Sequence, residues 1–149
     1  MRNDANNAFD YADHVTETLR HSQRMTARAL FELIFVCYPK PAAWLLAFRD
    51  RLVKSFGLKT GNHFEKMMLS ETAQRIVLGQ EDKHLDFYVV LECSTPMGSW
   101  QDIRVSTYVK YHNIMGRLYF GGIRVFHVLL VKSLVKRAAR LWMKNFPRY

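Results

Sequence analysis

The sequence predicts an α+β fold in which an antiparallel sheet packs against one long C-terminal helix. Several short segments alternate apolar and polar residues, as half-buried strands do, and the short connections between them favour antiparallel pairing. Over residues 114–141, apolar residues instead recur at the helical spacings of three and four. Such a helix would be roughly 40 Å long at 1.5 Å per residue. We expect a curved sheet to cover its broad apolar face.

The first strand is predicted over residues 9–20, where apolar and polar side chains alternate loosely. Residues 1–8 are polar and rich in Asn, so we expect them to be disordered. A chain of 149 residues is long enough for one domain with a sizeable core. We therefore expect residues 9–149 to form a single domain.

Two helices are predicted after the first strand. Residues 26–38 place apolar side chains on one helical face, with Thr26 as a candidate N-cap, and residues 42–56 repeat the pattern. Pro39 and Pro41 separate the two, because proline lacks a backbone N–H and restricts the residue before it.

The middle of the chain predicts an antiparallel meander. Its strands are expected over residues 64–69, 74–78, 84–93 and 102–111. Residues 70–72 predict the first turn, and the Pro and Gly within residues 95–99 predict the last one. Asn113 follows the last strand and is a credible N-cap for the long helix.

Three stretches of the sequence are distinctive. They are LAFRDRLVKSFGLKTG (46–61), EDKHLDF (81–87) and HNIMGRLYFGGIRVFHVLLV (112–131). They resemble the bacterial Domain of Unknown Function 2867 family, and the resemblance extends over about residues 10–137.

The order of elements is also similar to the helix-grip arrangement of the START and birch-pollen-allergen-like superfamily. There, a curved antiparallel sheet wraps around a long C-terminal helix, and two short helices follow the first strand. The five strands predicted here are fewer than the seven of its fuller members. In the Domain of Unknown Function 2867 family the domain also occurs behind a short-chain-type NAD(P)-binding reductase domain. The resemblance therefore implies a separately encoded reductase as a partner, since this chain lacks a Gly-rich nucleotide-binding fingerprint.

The basic character of the chain is confined to its C-terminal part. The net charge is +9, and residues 110–149 hold nine Lys/Arg and no Asp/Glu, so the remaining charges cancel. One interpretation is a solvated helix end, where cations meet the helix dipole favourably. The alternative is a docking surface for an acidic partner, anionic lipid or nucleic acid. Binding of nucleic acid or of an anionic membrane ranks last among the functions considered, because the sequence shows no aromatic platform and no DNA-binding motif.

The sequence predicts a cytoplasmic protein. Cys37 and Cys93 lie in apolar runs without ligand-like spacing, which indicates reduced, buried thiols. The N-terminal residues lack the apolar core of a secretory signal. No transmembrane segment is expected, because the most apolar run, 118–131, is short and contains Arg124 and His127.

A ligand pocket is predicted between the sheet and the long helix. Tyr119, Ile123, Phe126 and Leu130 are expected to face the sheet. Arg124 and His127 are the polar groups of this apolar stretch, either as ligand anchors or as a satisfied rim pair. Arg117 would bind an anionic group or tie the junction to an acid. The predicted ligand-binding residues are Phe87, Val89, Val105, Thr107, Tyr111, Arg117, Tyr119, Ile123, Arg124 and His127.

A second set of polar residues is His84, Asp86 and His112. A carboxylate beside an imidazole suits acid–base chemistry, but His84 and Asp86 have the opposite strand parity to the apolar residues, which favours a structural or exposed role. No local metal-ligand spacing exists, so no metal and no cofactor are predicted, and no catalytic residue is assigned.

Gly116, Gly121 and Gly122 interrupt the long helix, at a cost of about 1 kcal/mol each relative to Ala. They indicate a close backbone approach, a kink, or space for a bound molecule.

These observations favour a small ligand-binding module over an enzyme, with a hydrophobic lipid-like or aromatic ligand. The alternative is an interaction module that binds the reductase or forms a homodimer. A third hypothesis is binding of an anionic membrane or nucleic acid through the basic helix.

Overall fold

The computed structural model describes residues 9–36, 67–81 and 83–147. In chain order the elements are β1 (Tyr11–Arg20), α1 (Ala27–Phe31), a π-helical continuation of α1 (Glu32–Val36), β2 (Met68–Glu71), β3 (Arg75–Glu81), β4 (Leu85–Cys93), β5 (Trp100–Tyr111) and α2 (Ile114–Asn145). The predicted α+β helix-grip architecture is confirmed: a five-stranded antiparallel sheet with a long C-terminal helix and a short helix after the first strand.

The sheet has the strand order β1-β5-β4-β3-β2, and every neighbouring pair is antiparallel. Consecutive strands from β2 to β5 form the predicted meander, and β1 joins it by pairing with β5. In this register Val15 lies opposite Val105, which lies opposite Leu91 on β4. Because side chains alternate between the two faces of a strand, this row lies on the face that α2 covers.

The main apolar core lies between this face of the sheet, α1 and the C-terminal half of α2. Its fully buried side chains are contributed by every one of these elements: Leu19, Leu30, Phe31, Ile76, Leu78, Leu91, Ile103 and Val135. A second, smaller cluster is formed by Leu85, Val109 and Phe120, beneath the first turns of α2.

Helix α1 begins as predicted. The Thr26 hydroxyl accepts a hydrogen bond from the Ala29 backbone N–H at 3.2 Å and so caps the first turn. Ala27, Leu30 and Phe31 are buried on the inner face. The π-helical turn that follows was not predicted, because the apolar spacing does not distinguish it from an α-helical turn.

Several predictions fall outside the described residues. These are the disorder of residues 1–8, the helix over residues 42–56, the start of the strand over residues 64–69, and the burial of Cys37.

The predicted turn at residues 70–72 is wrong. Ser70 and Glu71 belong to β2, and the chain turns at Thr72, whose hydroxyl accepts from the Arg75 N–H at 3.0 Å. Strand β3 then continues past Leu78 through Gly79, where a Cβ atom would lie 2.5 Å from Tyr88 Cδ1 on β4. Glycine leaves room there for the side chains of Tyr88 and Leu69, which a larger residue would displace.

Helix α2 has 32 residues and extends four residues beyond the predicted end. The Asn113 side chain accepts from the Gly116 N–H at 3.0 Å, which confirms the predicted N-cap. At the other end, the Trp142 indole donates to the Gln23 carbonyl at 2.7 Å and ties the helix to the segment after β1.

The predicted inner face of α2 is correct except for Phe126. Tyr119, Ile123 and Leu130 pack against the apolar clusters, whereas Phe126 is 55% exposed. The helix is apolar on both sides, so spacing alone does not identify the covered side. By length and composition α2 could also cross a membrane, and 17% of its most apolar 18-residue stretch is buried. Core helices of soluble proteins meet the same criterion, so the absence of a transmembrane segment stays a prediction.

Candidate ligand site between the sheet and the C-terminal helix

A polar layer crosses the interior between the sheet and α2. Asp13 on β1 lies directly opposite Thr107 on β5. His127, on the inner side of α2, places its Nε2 3.1 Å from the Thr107 hydroxyl. Thr107 is only 2% exposed, so its hydroxyl depends on protein partners for its hydrogen bonds. One residue from each of three elements therefore converges at this level of the fold.

This polar layer separates the two apolar clusters. On one side, the main core includes Val15 and Val105, the residues that follow Asp13 and precede Thr107 on the same strand face. On the other side, Tyr11 and Val109 belong to the smaller cluster. The strand alternation places residues 11, 13, 15, 17 and 19 on one face, so two half-buried acids, Asp13 and Glu17, interrupt an otherwise apolar row. Asp13 is the one that lies between the residues of the two apolar clusters.

The Asp13 carboxylate has one satisfied and one unsatisfied oxygen. Oδ2 accepts a hydrogen bond from the Tyr11 hydroxyl at 2.5 Å. Oδ1 is buried and has no hydrogen-bond partner within the described part of the chain. Leaving a buried acceptor unpaired costs about 1–3 kcal/mol. A molecule that donates a hydrogen bond to Oδ1 would remove this cost.

Tyr11 and Arg124 form the edge of the polar layer. Burial raises the pKa of the Tyr11 phenol well above its usual range, and the hydrogen bond to Asp13 adds to the effect. The phenol therefore stays protonated and continues to donate to Asp13. The Tyr11 ring packs on Phe120 with 4.8 Å between centroids, and the exposed Arg124 guanidinium lies 6.0 Å from the Tyr11 centroid.

The second set of polar residues meets at the junction between β5 and α2. Asp86 Oδ1 lies 2.8 Å from His112 Nε2. The His84 ring, just before β4, lies 3.0 Å from the Asn113 amide nitrogen, and the His84 carbonyl accepts from the His112 N–H at 2.9 Å. These contacts bind the start of β4 to the start of α2, which is the geometry of a structural tie.

The sequence profile of a family described as a protein of unknown function (DUF2867) matches residues 6–134. The chain belongs to this family. A search of the curated proteins gave no match.

Two bacterial proteins are among the solved structures that this chain resembles. The crystal structure of the Mll3558 protein from Rhizobium loti is 11% identical, covers 87% of this chain and 98% of its own, and has a TM-score of 0.42. The crystal structure of TTHA0849 from Thermus thermophilus is 8% identical, covers 91% of this chain and 99% of its own, and has a TM-score of 0.35.

The DUF2867 chain distributes the predicted ligand-binding residues over three environments. Val105 and Thr107 are fully buried, and Val105 belongs to the main core. Arg117 and Arg124 are exposed, with the Arg117 guanidinium 5.7 Å from the Tyr111 ring centroid. The other predicted ligand-binding residues are half-buried and border the interior around the polar layer. They are Phe87, Val89, Tyr111, Tyr119, Ile123 and His127. The structure thus brings Thr107, Arg124 and His127 together with Tyr11 and Asp13.

Asp13 is the site residue that the sequence analysis missed. The sequence contained the information, because Asp13 lies on the same side of the predicted strand as Tyr11, Val15 and Leu19, and this is the apolar side. An acid at an apolar parity is informative, since carboxylates are rarely buried without a partner.

A separate shallow depression lies at the other end of the sheet, beside Ser22, Arg24, Pro96 and Trp100. Its buried polar group, the Gln101 amide, is already occupied. It donates to the carbonyls of Met25 and Ser94 and accepts from the Met25 N–H. The Gln101 side chain therefore joins the segment after β1 to the segment after β4, which is a structural role. Within the described residues, no three His, Cys, Asp or Glu side chains form a group that could hold a metal ion.

Proposed function

We propose that this protein binds a small, mostly apolar molecule that carries a hydrogen-bond donor, between the sheet and α2. The single observation that carries the proposal is Oδ1 of Asp13, which is buried at the boundary of two apolar clusters and has no hydrogen-bond partner among the described residues. Ligand sites in proteins combine apolar walls with a few polar groups that fix orientation. The interior around Asp13 has this composition.

The apolar body of the ligand would lie along the half-buried side chains next to the polar layer. Val89 lies opposite Thr107 in the sheet, and Phe87 lies opposite Val109. Ile123, on α2, packs against the smaller apolar cluster, to which Phe87 and Val109 also belong. These three side chains offer aliphatic and aromatic surface without competing hydrogen-bond groups.

The apolar surroundings of Asp13 favour a neutral donor over a cationic one. Arg124 already lies close enough to influence the ionisation of Tyr11, the hydrogen-bond donor to Asp13. A cation would lose its hydration on entering this apolar interior, whereas an alcohol or phenol can donate to Oδ1 without that cost. We therefore infer a hydroxyl-bearing lipid-like or aromatic ligand.

The reactive side chains of the described residues do not favour nucleophilic catalysis, so we propose a binding site. Burial raises the pKa of the Cys93 thiol to about 12, so it stays protonated at neutral pH. The His127 imidazole is engaged by Thr107. We accordingly propose binding and not turnover.

The test compares two probes that differ only in the donor, 2-naphthol and 2-methoxynaphthalene, by isothermal titration calorimetry. A hydrogen bond to a charged acceptor contributes about 1.5–3 kcal/mol, so the naphthol should bind at least about tenfold more tightly than the ether. Asp13→Leu should abolish this preference. Native mass spectrometry of gently purified protein should also show a retained small molecule.

The matched control is Glu17→Leu, which removes a half-buried carboxylate from the same strand and the same face. It should retain the preference for naphthol. Equal affinities for the two probes in the unmodified protein, or a preference that survives Asp13→Leu, would refute the proposal.

A further inference from the structure

The solvent side of α2 carries an apolar row that the sheet does not cover. We define the outward face of α2 by its exposed residues on the side opposite the sheet. In the first half of the helix these are Ile114, Met115, Leu118, Gly121, Gly122, Val125, Phe126 and Leu129. Leu118 is 66% exposed and Val125 62%. Soluble proteins seldom expose a contiguous apolar surface of this kind without a binding role.

The outward face continues as a row of cations in the second half of the helix. The spacings of three and four that connect Leu118 to Leu129 lead on to exposed basic side chains, which are Lys132, Lys136, Arg140 and Lys144. The whole helix contains seven Lys/Arg and no acidic residue. One side of a single rigid element is therefore apolar over four turns and cationic over the next four.

We propose that the outward face of α2 binds the surface of an anionic lipid bilayer. Apolar side chains of an interfacial helix enter the boundary between the headgroups and the acyl chains, and cations beside them meet the lipid phosphates. The two halves of the outward face follow one another along the axis, so a tilted α2 would place its apolar half at the acyl chains and its cationic half at the lipid phosphates.

Other occupants match only one half of the outward face. A second copy of the chain would cover the apolar half, but α2 has no acidic residue to place against Lys136 or Arg140. Residues 37–66 of the chain have six Lys/Arg and two Asp/Glu, so they too lack the required counter-charge. A nucleic acid would meet the cations and leave Leu118 and Phe126 exposed to water. An anionic bilayer satisfies both halves.

The proposal does not depend on the ligand site at Asp13. That site lies on the sheet side of α2, and the residues of the outward face point to solvent.

The test is sedimentation of the full chain with large vesicles of equal parts phosphatidylcholine and phosphatidylglycerol, and with pure phosphatidylcholine. We expect binding to the anionic vesicles that weakens as salt is raised, because salt screens the cations. Lys132→Gln with Lys136→Gln should reduce the partition coefficient by about fivefold for each cation removed. Leu118→Ser with Phe126→Ser should reduce it by at least about tenfold.

Two control variants match these changes elsewhere on the surface. Lys110→Gln removes an exposed cation from β5, and Met97→Ser removes a side chain that is 82% exposed in the turn before β5. Both should bind vesicles like the unmodified protein. Circular dichroism confirms that each variant is folded.

Three results would overturn the proposal. The first is absence of binding to the anionic vesicles. The second is a dimer, seen by light scattering, that Leu118→Ser with Phe126→Ser dissociates while vesicles stay unbound. The third is tighter binding to duplex DNA that the apolar substitutions leave unchanged.

Discussion

At the scale of single residues, the three glycines of α2 have different roles. A Cβ atom at Gly116 would overlap the backbone carbonyl oxygen of His84, so the helix can approach the start of β4 only with glycine there. At Gly121 and Gly122 a Cβ atom would meet no described residue within 4 Å outside the helix's own backbone. The sequence predicted a close approach, a kink or free space for all three. The close approach is confirmed for Gly116, while Gly121 and Gly122 are exposed on the outward face.

Gly116→Ala should destabilise the protein by about 1–3 kcal/mol, because the clash is with backbone and cannot be relieved by a rotamer change. Gly122→Ala should stabilise it by up to about 1 kcal/mol, since alanine is the better helix former and meets no neighbour. Urea unfolding of the two variants measures both values. Equal changes for the two substitutions would contradict the packing described here.

At the scale of elements, the start of α2 is held by one side chain with two functions. Asn113 caps the helix through its Oδ1, and its amide nitrogen contacts the His84 ring. Together with the pair formed by Asp86 and His112, it links the start of α2 to the start of β4. The local spacing predicted the cap. It did not predict that the capping residue also joins two elements.

Asn113→Ala should reduce the free energy of unfolding by about 1 kcal/mol or more, because the Gly116 N–H loses its acceptor. Asn113→Asp should retain most of the stability, since aspartate is an equally good cap and favours the helix N-terminus. Asn145→Ala, at the exposed last residue of the same helix, is the matched control and should have little effect. Urea unfolding checks all three. A full loss in Asn113→Asp would show that the contact with His84, and not the cap, holds the junction.

At the scale of the whole molecule, several described residues that ionise at alkaline pH have pKa values above their ordinary ones. Burial raises the pKa of Tyr11, Tyr88 and Tyr111 above their usual value, and raises that of Cys93 to about 12. These groups are neutral acids in the folded state. Unfolding exposes them, so the unfolded chain releases their protons at lower pH than the folded chain.

The stability of the protein should therefore be independent of these groups below about pH 9 and should fall above it. Cys93 begins to contribute near its ordinary pKa of 9.0, and the tyrosines near 10.0. The sign follows because the folded pKa values are the higher ones, so rising pH favours the unfolded state.

Urea unfolding between about pH 8 and pH 11 measures this dependence. Cys93→Ala should reduce the slope from about pH 9 upward, and Tyr11→Phe should reduce it from about pH 10 upward. Identical slopes in all three proteins would contradict the assignment to these buried groups.

The sequence alone determined the type and order of the described elements, apart from the π-helical turn after α1. Strand alternation, helical spacing and the caps Thr26 and Asn113 depend on neighbours within a few residues, so they can be found without the fold. The same information predicted Thr107, Arg124 and His127 as ligand-binding residues, and the structure brings these three together. It placed one turn wrongly, because Ser70 and Glu71 continue β2 by pairing with Val77 and Ile76 on β3. It also ended β3 too early, since Gly79 is accommodated in the strand by its contact with Tyr88 on β4.

Only the tertiary structure decided which side of α2 is covered and what the polar side chains contact. The helix is apolar on both sides, so its spacing is compatible with either orientation, and Phe126 was assigned to the wrong one. Asp13 and Thr107 are far apart in the chain and meet because β1 pairs with β5. The physical reason is that periodicity records which residues share a face, whereas strand pairing and helix docking select the face that is buried.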